Sequence, residues 1–180
     1  MNIPSLTTPL DDVSVAALRA GDRFLMSGTV YTARDRAHQR LSEMARLGEK
    51  IPFDTQGAII YYAGPSPAPP GKITGAAGPT TSSRMDPFTE TMLELGVKGF
   101  IGKGKRSADV RSLLARYRAV YFATYGGAAA YLSARIVAAE LVAFPDLGPE
   151  AVYRYELRDF PVIVANDIID GDIYELALRK

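Results

Sequence analysis

Four prolines lie within the eight residues GPSPAPPG at 64–71, directly after the apolar segment AIIYYA at 58–63. Proline has no backbone N–H and its ring clashes with the preceding helical turn, so a helix cannot run through 64–71. The apolar segment is short and rich in β-branched and aromatic residues, which predicts a buried strand. The middle of the chain is therefore expected to be a strand that ends in a stiff loop.

The remaining segments predict strands interspersed with helices. Strands are predicted at 13–18, 23–33, 97–102, 119–124, 136–144, 151–157 and 160–166, and a short one begins at Lys72. Helices are predicted at 34–47, at 87–95 with Asp86 as N-cap, from Ser107 to Tyr117, at 126–134, and as a closing turn after Asp172. Because no repeat or linker interrupts this order, it indicates one α/β domain over residues 13–180, preceded by a loose N-terminal arm at 1–12.

Charge and composition exclude several classes of protein. The 180 residues carry 21 basic and 20 acidic side chains, so neither a nucleic-acid surface nor a basic membrane surface is expected. No apolar run reaches the ~18 residues of a membrane helix, and the first residues lack the pattern of a secretory signal, so a cytoplasmic location is expected. The chain contains no cysteine, and His38 is its single histidine. We therefore expect no metal ligands in this chain, and any metal in its reaction would be carried by another chain.

A first candidate loop lies at 32–38, before a predicted helix. Arg34 and His38 are four residues apart and share one helix face. Arg34 falls in the first helical turn, where a cation is electrostatically unfavourable, and this favours an anion-binding role. The alternative, a surface arginine paired with Asp35 or Glu43, stays open. For His38, a hydrogen-bonded structural role is favoured over catalysis.

A second candidate loop is GAAGPTTSSR at 75–84. Its glycines allow backbone N–H groups to approach a ligand closely. Four consecutive hydroxyl residues, Thr80 to Ser83, and then Arg84 supply donors for a carboxylate or phosphate. One hydroxyl suffices to cap a helix, so this larger set favours an anion site over a simple capping loop.

A third candidate loop, at 99–107, approaches the pattern of a phosphate-binding P-loop. The pattern fails at Arg106, which stands where a magnesium-binding hydroxyl is required. Nucleotide hydrolysis is therefore disfavoured, and Lys103 is better interpreted as a further cation for an anion site. Together the three loops predict an anionic small molecule held by Arg34, the 80–84 segment and Lys103.

The same segments carry a resemblance to a known family. The strings GDRFLMSGTVYTARDRAHQRL at 21–41, AIIYYAGPSPAPPGKITGAAGPTTSSRMD at 58–86, VKGFIGKG at 97–104, AVYFATYGGAAA at 119–130 and FPDLGPEAVYRYELRDFPVIVA at 144–165 are similar to the C-terminal domain, or β subunit, of class I fumarases and L-tartrate dehydratases. This resemblance implies a swivelling β/β/α domain. It also implies a partner α subunit that holds a 4Fe–4S cluster on three cysteines, and a reaction that adds or removes water across a 2-hydroxy dicarboxylate.

The resemblance also implies roles for particular residues. Arg34 of TARD and Arg84 of TTSSRM are expected to bind the substrate carboxylates, with Lys103 and Thr81 as further substrate contacts. Planar guanidinium groups suit this task because they bind carboxylates bidentately.

The proton-transfer role falls to Thr80, the first threonine of GPTT, and His38 and Gly78 are expected to support the site. An unaided threonine hydroxyl is a poor base, so this role requires activation by neighbouring charge.

The resemblance leaves the substrate and the assembly open. Hydration of fumarate to malate is favoured over dehydration of L-tartrate, because its metabolic role is commoner. A non-catalytic regulatory subunit that binds a dicarboxylate is the alternative from another class. The length and the starting methionine suit a two-subunit enzyme, so a heterodimer or heterotetramer with the α subunit is expected.

Overall fold

A computed structural model of the chain describes residues 3–179. Within this range the strands are β1 (Ser5–Thr7), β2 (Arg23–Thr32), β3 (Ile59–Tyr61), β4 (Gly99–Gly102), β5 (Val120–Ala123), β6 (Ile136–Ala143) and β7 (Val152–Asn166). The α-helices are α1 (Asp12–Ala17), α2 (Asp35–Arg46), α3 (Thr89–Glu94), α4 (Ala108–Tyr117), α5 (Ala129–Ser133) and α6 (Ile173–Leu176). Short 3-10 helices cover Ser82–Phe88, Pro145–Glu150 and Ala177–Arg179.

The strands form one mixed sheet in which five strands close into a ring. Strands β2, β3, β4 and β5 are successive parallel neighbours. Strand β7 runs antiparallel to both β5 and β2, so the pairing order β2–β3–β4–β5–β7 returns to β2. Strand β1 adds to β2 in parallel and β6 adds to β7 in antiparallel orientation. Because β2 to β5 are parallel, their carboxyl ends lie at the same end of the ring.

The two faces of the ring strands pack in different layers. Along β3, the side chains of Ile59 and Tyr61 belong to one buried cluster and that of Ile60 to another. The first cluster collects side chains from all five ring strands and fills the ring. The second adds Leu41 of α2 and Leu114 of α4, so helices cover the outer face of the parallel strands. The α/β class predicted from the sequence is thereby confirmed.

The amino-terminal predictions were wrong. Residues Ser5–Thr7 form β1 and pair with Leu25–Ser27, so this part of the expected loose arm belongs to the sheet; residues 1–2 lie outside the described residues. The strand predicted at 13–18 is helix α1, because the Asp11 carboxylate caps it by accepting the backbone N–H of Ser14.

Two of the predicted strands, at 151–157 and 160–166, form the single strand β7. The segment that separates them, Arg158–Asp159, is a β-bulge: Leu157 faces Gly28 and Phe160 faces Met26, so two residues of β7 oppose one of β2. Asp159 has a positive φ of 50°, and its backbone N–H donates to the Ser27 hydroxyl. The bulge therefore bends the strand without ending it.

Two predictions around the second loop were also wrong. No strand begins at Lys72, where the described backbone makes bends. Asp86 does not cap a helix, because it lies inside the 3-10 helix Ser82–Phe88 and its carboxylate binds Arg106. The end of α3 and the start of α4 are confirmed: Gly96 follows α3 with a φ of 101°, and the Ser107 hydroxyl caps α4 by accepting the N–H of Val110.

Across residues 3–179, no helix combines the length and the apolar character that crossing a membrane requires.

Candidate functional site

The three predicted loops leave the sheet at the same end of the ring. Arg34 follows β2, Gly64 follows β3 and Lys103 follows β4, and these strands are parallel neighbours. The carboxyl ends of parallel strands are where α/β proteins usually bind ligands. The fold therefore collects the basic and hydroxyl residues of the three loops at one edge of the sheet.

Arg34 stands at the start of α2 with part of its guanidinium unpaired. It occupies the N-cap position of α2 in an extended conformation, without a capping hydrogen bond from its side chain. Its Nε atom is buried and makes no hydrogen bond to any residue between 3 and 179. Gly64 makes room for this side chain, because a Cβ at 64 would lie 2.8 Å from the Arg34 terminal nitrogen Nη1. Gly64 of the YAGP string is thus the residue that allows the Arg34 side chain to pack against the backbone here.

Asp35 lies between the two arginines that were predicted to bind carboxylates. Its Oδ1 accepts a hydrogen bond of 2.9 Å from Nε of Arg84, and its Oδ2 lies 3.9 Å from Nη2 of Arg34. Glu150 lies 4.0 Å from the same Arg34 nitrogen. Arg34 and Arg84, 50 positions apart in the chain, are therefore brought together through one carboxylate.

Thr80 and Lys103 are joined by backbone hydrogen bonds. The backbone N–H of Lys103 donates to the Thr80 carbonyl over 3.2 Å, and the N–H of Ser82 donates to the Lys103 carbonyl over 2.9 Å. Thr81 pairs with Lys103 as an isolated parallel β-bridge. The Thr80 hydroxyl donates to the carbonyl of Tyr62, 2.9 Å away. The second and third loops thus form one small platform at the end of β3 and β4.

The four hydroxyl residues of the second loop differ in their surroundings. Thr81 and Ser83 are exposed and Thr80 is partly exposed. Ser82 is buried, and its hydroxyl bonds to that of Tyr121 over 2.8 Å. Three hydroxyls, rather than four, are therefore accessible to a ligand. Gly78 supports this loop by close packing, because a Cβ there would lie 2.9 Å from Cβ of Ala129 at the start of α5.

Arg106 is a buried structural residue, a role that no pattern in the sequence indicates. Its side chain is 0% exposed, and its Nε donates to Asp86 over 2.6 Å. Its terminal nitrogens donate to the hydroxyls of Tyr62 and Thr89. This network ties the third loop to the 3-10 helix that carries Arg84, and it explains why an arginine replaces the magnesium-binding hydroxyl of a P-loop.

His38 lies beneath the start of α2 and is fully buried. Its Nδ1 is 2.9 Å from the Arg34 carbonyl, and because a carbonyl only accepts, Nδ1 carries the hydrogen. Burial lowers the pKa of His38 to about 4, so the ring is neutral at physiological pH. Its ring also contacts Tyr62 and Phe88. A neutral, enclosed ring of this kind supports the Arg34 backbone and has no direct access to a ligand.

The arrangement is an open surface rather than a closed cavity. The side chain of Arg84 is 52% exposed, and Lys103 is exposed as well. Two concave regions, of about 740 and 480 Å³, are lined by residues 50–55 and by the 69–76 and 130–136 segments, and contain none of the predicted site residues. Two guanidinium groups, an ammonium group and free hydroxyls on an open surface can bind a small molecule with two carboxylates.

Sequence reasoning missed three contributors to this site. Asp35 was considered only as a surface partner of Arg34, whereas it also binds Arg84. Gly64 and Glu150 were not singled out, and neither carries a signal of its own in the sequence. Glu43, the other proposed partner of Arg34, pairs instead with Arg46.

Metal-binding groups are scarce in this chain. It has no cysteine, and the part that the structure describes holds no group of three or more His, Asp or Glu side chains arranged to bind a metal ion. Its donor set therefore does not fit an iron–sulfur cluster.

Comparison with known proteins gives the chain a family. The family described as fumarase C-terminus matches residues 5–177. A Methanocaldococcus jannaschii protein, provisionally named L(+)-tartrate dehydratase subunit beta, is 38% identical over 92% of this chain and 88% of its own length. Fumarate hydratase 2 of Leishmania major is 36% identical over 96% of this chain. The anaerobic class I fumarate hydratase of Escherichia coli is 34% identical over 88% of it.

The relatives differ in how much of their length this chain covers. It spans 31% of the Leishmania fumarate hydratase and 29% of the Escherichia coli enzyme. Its likeness to those enzymes therefore concerns one part of each, whereas it extends over most of the archaeal protein. The match to the family over 5–177 includes every strand and every predicted site residue. The chain belongs to the fumarase C-terminus family.

Proposed function

We propose that this chain is the cluster-free β subunit of a hydro-lyase that hydrates fumarate to malate, with its site completed by an α subunit. The observation that carries the proposal is the pairing of Arg34 and Arg84 through Asp35, next to the platform of Thr80 and Lys103. Membership of the fumarase C-terminus family supports the reaction class. The open site supports a shared active site, since an exposed cationic surface needs a second wall to exclude water.

In this proposal the arginines bind the two ends of the substrate. Fumarate carries two carboxylates, and each guanidinium can take one of them with two parallel hydrogen bonds. Lys103 adds a further positive charge beside them. Enclosure by the partner lowers the local dielectric and strengthens these charge contacts.

Thr80 then transfers the proton that becomes bound to carbon. In hydration, one alkene carbon gains the hydroxyl group of water and the other gains a proton from the Thr80 hydroxyl. The remaining proton of that water restores Thr80, so atoms and charge balance. The Thr80 hydroxyl must turn from the Tyr62 carbonyl toward the substrate. Lys103, whose backbone bonds to that of Thr80, is the cation that we propose favours release of its proton.

The 4Fe–4S cluster of such an enzyme belongs to the α subunit, because this chain has no thiolate to hold it. When bound there, it supplies a Lewis-acidic iron for the hydroxyl group that is added or removed. The closed ring of strands with helices outside it suits a swivelling β/β/α domain that moves its arginine surface toward the partner. We expect this assembly, a heterodimer or heterotetramer, in the cytoplasm.

The direct test is reconstitution. The purified chain alone is expected to be colourless, free of iron and inactive. Mixed without air with the cluster-bearing subunit, it should co-elute with that subunit on sizing and hydrate fumarate. Cluster or dehydratase activity in this chain alone would contradict the division of labour, and two subunits that never co-elute would contradict the partnership.

A second candidate substrate is L-tartrate. It is favoured by one observation: the relative that this chain covers over 88% of its length is named as a tartrate dehydratase subunit. Parallel assays of the reconstituted pair with fumarate, malate and L-tartrate decide between the two. Dicarboxylate binding without turnover of any of them would favour a regulatory subunit instead.

The role of Thr80 has its own test. Thr80→Val removes the hydroxyl and keeps the shape, and the Tyr62 carbonyl keeps a donor because the Thr80 backbone N–H also reaches it over 2.8 Å. We expect kcat to fall about 10²–10⁴-fold with little change in substrate Kd, since the arginines still hold both carboxylates. Thr81→Val is the matched control and should be milder. A Thr80→Val enzyme within about tenfold of wild type in kcat would make Thr80 a binding residue.

A further inference from the structure

We infer that Asp35 is a positioning residue that holds Arg84 by one edge of its guanidinium and leaves the other edge for a substrate carboxylate. The inference rests on the proposed function and deepens it. Oδ1 of Asp35 accepts a hydrogen bond from Nε of Arg84 over 2.9 Å. Within residues 3–179, the two terminal nitrogens of Arg84 have no hydrogen-bond or ion-pair partner.

Another arginine of the same chain shows a carboxylate bound at the two terminal nitrogens. Arg40 donates from both terminal nitrogens to the two carboxylate oxygens of Asp146, the first bond being 2.8 Å long. That end-on geometry occupies the terminal pair of donors, which is the pair that Arg84 keeps free. Arg84 is held from the side instead, so its terminal pair remains available. Asp35 therefore orients Arg84 without taking the place of the ligand.

The location of Asp35 favours a carboxylate that supports Arg84. It is the first residue of α2, where the helix dipole favours a negative charge. Its side chain is only 28% exposed, and its Oδ2 is buried 3.9 Å from Arg34, without a hydrogen bond to any residue from 3 to 179. One partly buried carboxylate, in contact with both arginines, thus sets the direction of Arg84 and its separation from Arg34. This separation determines which dicarboxylates both arginines can reach.

The direction in which KM changes when Asp35 is removed shows whether Asp35 positions Arg84 or competes with the substrate for it. Removing a negative charge beside two arginines should strengthen anion binding if Asp35 merely competes with the substrate. If Asp35 positions Arg84, its removal frees the long side chain and weakens binding. We expect Asp35→Ala to raise KM for fumarate about tenfold, with kcat within about threefold of wild type. Asp35→Asn keeps the oxygen acceptor for Nε and should recover most of the lost affinity.

Two controls show whether Asp35 acts through Arg84. In an Arg84→Ala background, Asp35→Ala should change KM by less than about twofold, since the group it positions is gone. Asp146→Ala removes the carboxylate that pairs with Arg40 of α2 and should leave KM unchanged. Thermal unfolding of the isolated chain checks that each variant is folded.

The experiment is steady-state kinetics of the reconstituted complex with each variant, using fumarate and L-tartrate. A lower or unchanged KM in Asp35→Ala, or an equal KM increase with and without Arg84, overturns the inference while leaving the proposed function in place. A wild-type complex that turns over neither substrate overturns the proposed function and this inference with it.

Discussion

Arg84 and Asp86 stand two residues apart in one 3-10 helix, and each joins an arginine–aspartate pair of a different character. The Arg106–Asp86 pair is enclosed: Arg106 is 0% exposed and also bonds to Tyr62 and Thr89, with three aromatic rings around it. The Arg84–Asp35 pair is half-exposed and uses a single nitrogen of the arginine.

Burial and the number of donors already in use distinguish a structural arginine from a ligand-binding one, whereas residue type does not. A buried charge must be paired and hydrogen-bonded, because the desolvation free energy of an unpaired one is comparable to the whole stability of the fold. Arg106 meets this requirement with its own neighbours, so a ligand has nothing to add. Arg84 keeps free donors at the protein surface, and the less exposed Arg34 keeps an Nε without a hydrogen bond to any residue from 3 to 179. Unused donors are the condition for binding an anion.

Asp86→Ala is expected to have the largest effect and tests whether the buried pair contributes more stability than the half-exposed pair. It leaves the Arg106 guanidinium buried without its carboxylate, and we expect the free energy of unfolding to fall by about 3–5 kcal/mol. Urea unfolding of the isolated chain measures the loss. Asp35→Ala is the counterpart in the half-exposed pair and should cost less than about 1 kcal/mol, because solvent reaches Arg84. Equal losses in the two variants would remove the distinction between the pairs.

The arginine-to-lysine changes test the exposed pair through activity. Arg34→Lys and Arg84→Lys keep the charge but lose the planar fork, and a charge-assisted contact of roughly 2–4 kcal/mol corresponds to roughly 30- to 1000-fold in kcat/KM. Both variants should unfold at the wild-type urea concentration. Arg40→Lys, outside the site on the same helix, should keep full activity. Wild-type kinetics in both site variants would show that these arginines do not bind the substrate.

The pH dependence of stability tests the buried layer beneath Arg34. Burial lowers the pKa of His38 from 6.5 to about 4, so the unfolded chain binds a proton at a higher pH than the folded chain. Its contribution is therefore fully present above pH 6.5 and is lost as the pH falls toward 4. Between pH 7.5 and 5 it should reduce the free energy of unfolding by about 2 kcal/mol. The difference in pH dependence between wild type and His38→Gln measures it, and identical slopes would contradict the assignment.

The smallest effect is expected for the exposed pair Arg40–Asp146. Although both terminal nitrogens of Arg40 bind Asp146, the two side chains are 41% and 60% exposed. Solvent screens such pairs, so Asp146→Ala should leave the urea midpoint of unfolding and the activity close to those of wild type. A loss comparable to that of Asp86→Ala would mean that hydrogen-bond geometry, and not burial, sets the strength of these pairs.

Local patterns in the sequence were sufficient for most of the fold. Proline at 65–70, the apolar run at 59–62 and the Ser107 cap act over a few residues, so the corresponding loop, strand and helix start could be predicted. The predictions from the sequence were wrong where contacts with residues distant in the chain determine the local structure. Strand β7 continues through Arg158 and Asp159 because β2 lies beside it. Strand β1 forms because β3 pairs only with the end of β2 and leaves the edge at Leu25–Ser27 open. Helix α1 was missed because its alternating residues resemble a strand, although Asp11 carries a capping signal.

For the site, the sequence by itself determined which residue types gather at the loop ends: Arg34, the hydroxyl residues before Arg84, and Lys103. It also determined that this chain has no thiolate for a cluster. Only the tertiary structure decided that Arg106 is enclosed by partners 17 to 44 residues away and that Asp35 meets Arg84 across 49 residues. The reason is physical: composition and local spacing specify what a side chain can bind, whereas burial and long-range contacts determine which of its donors are already used.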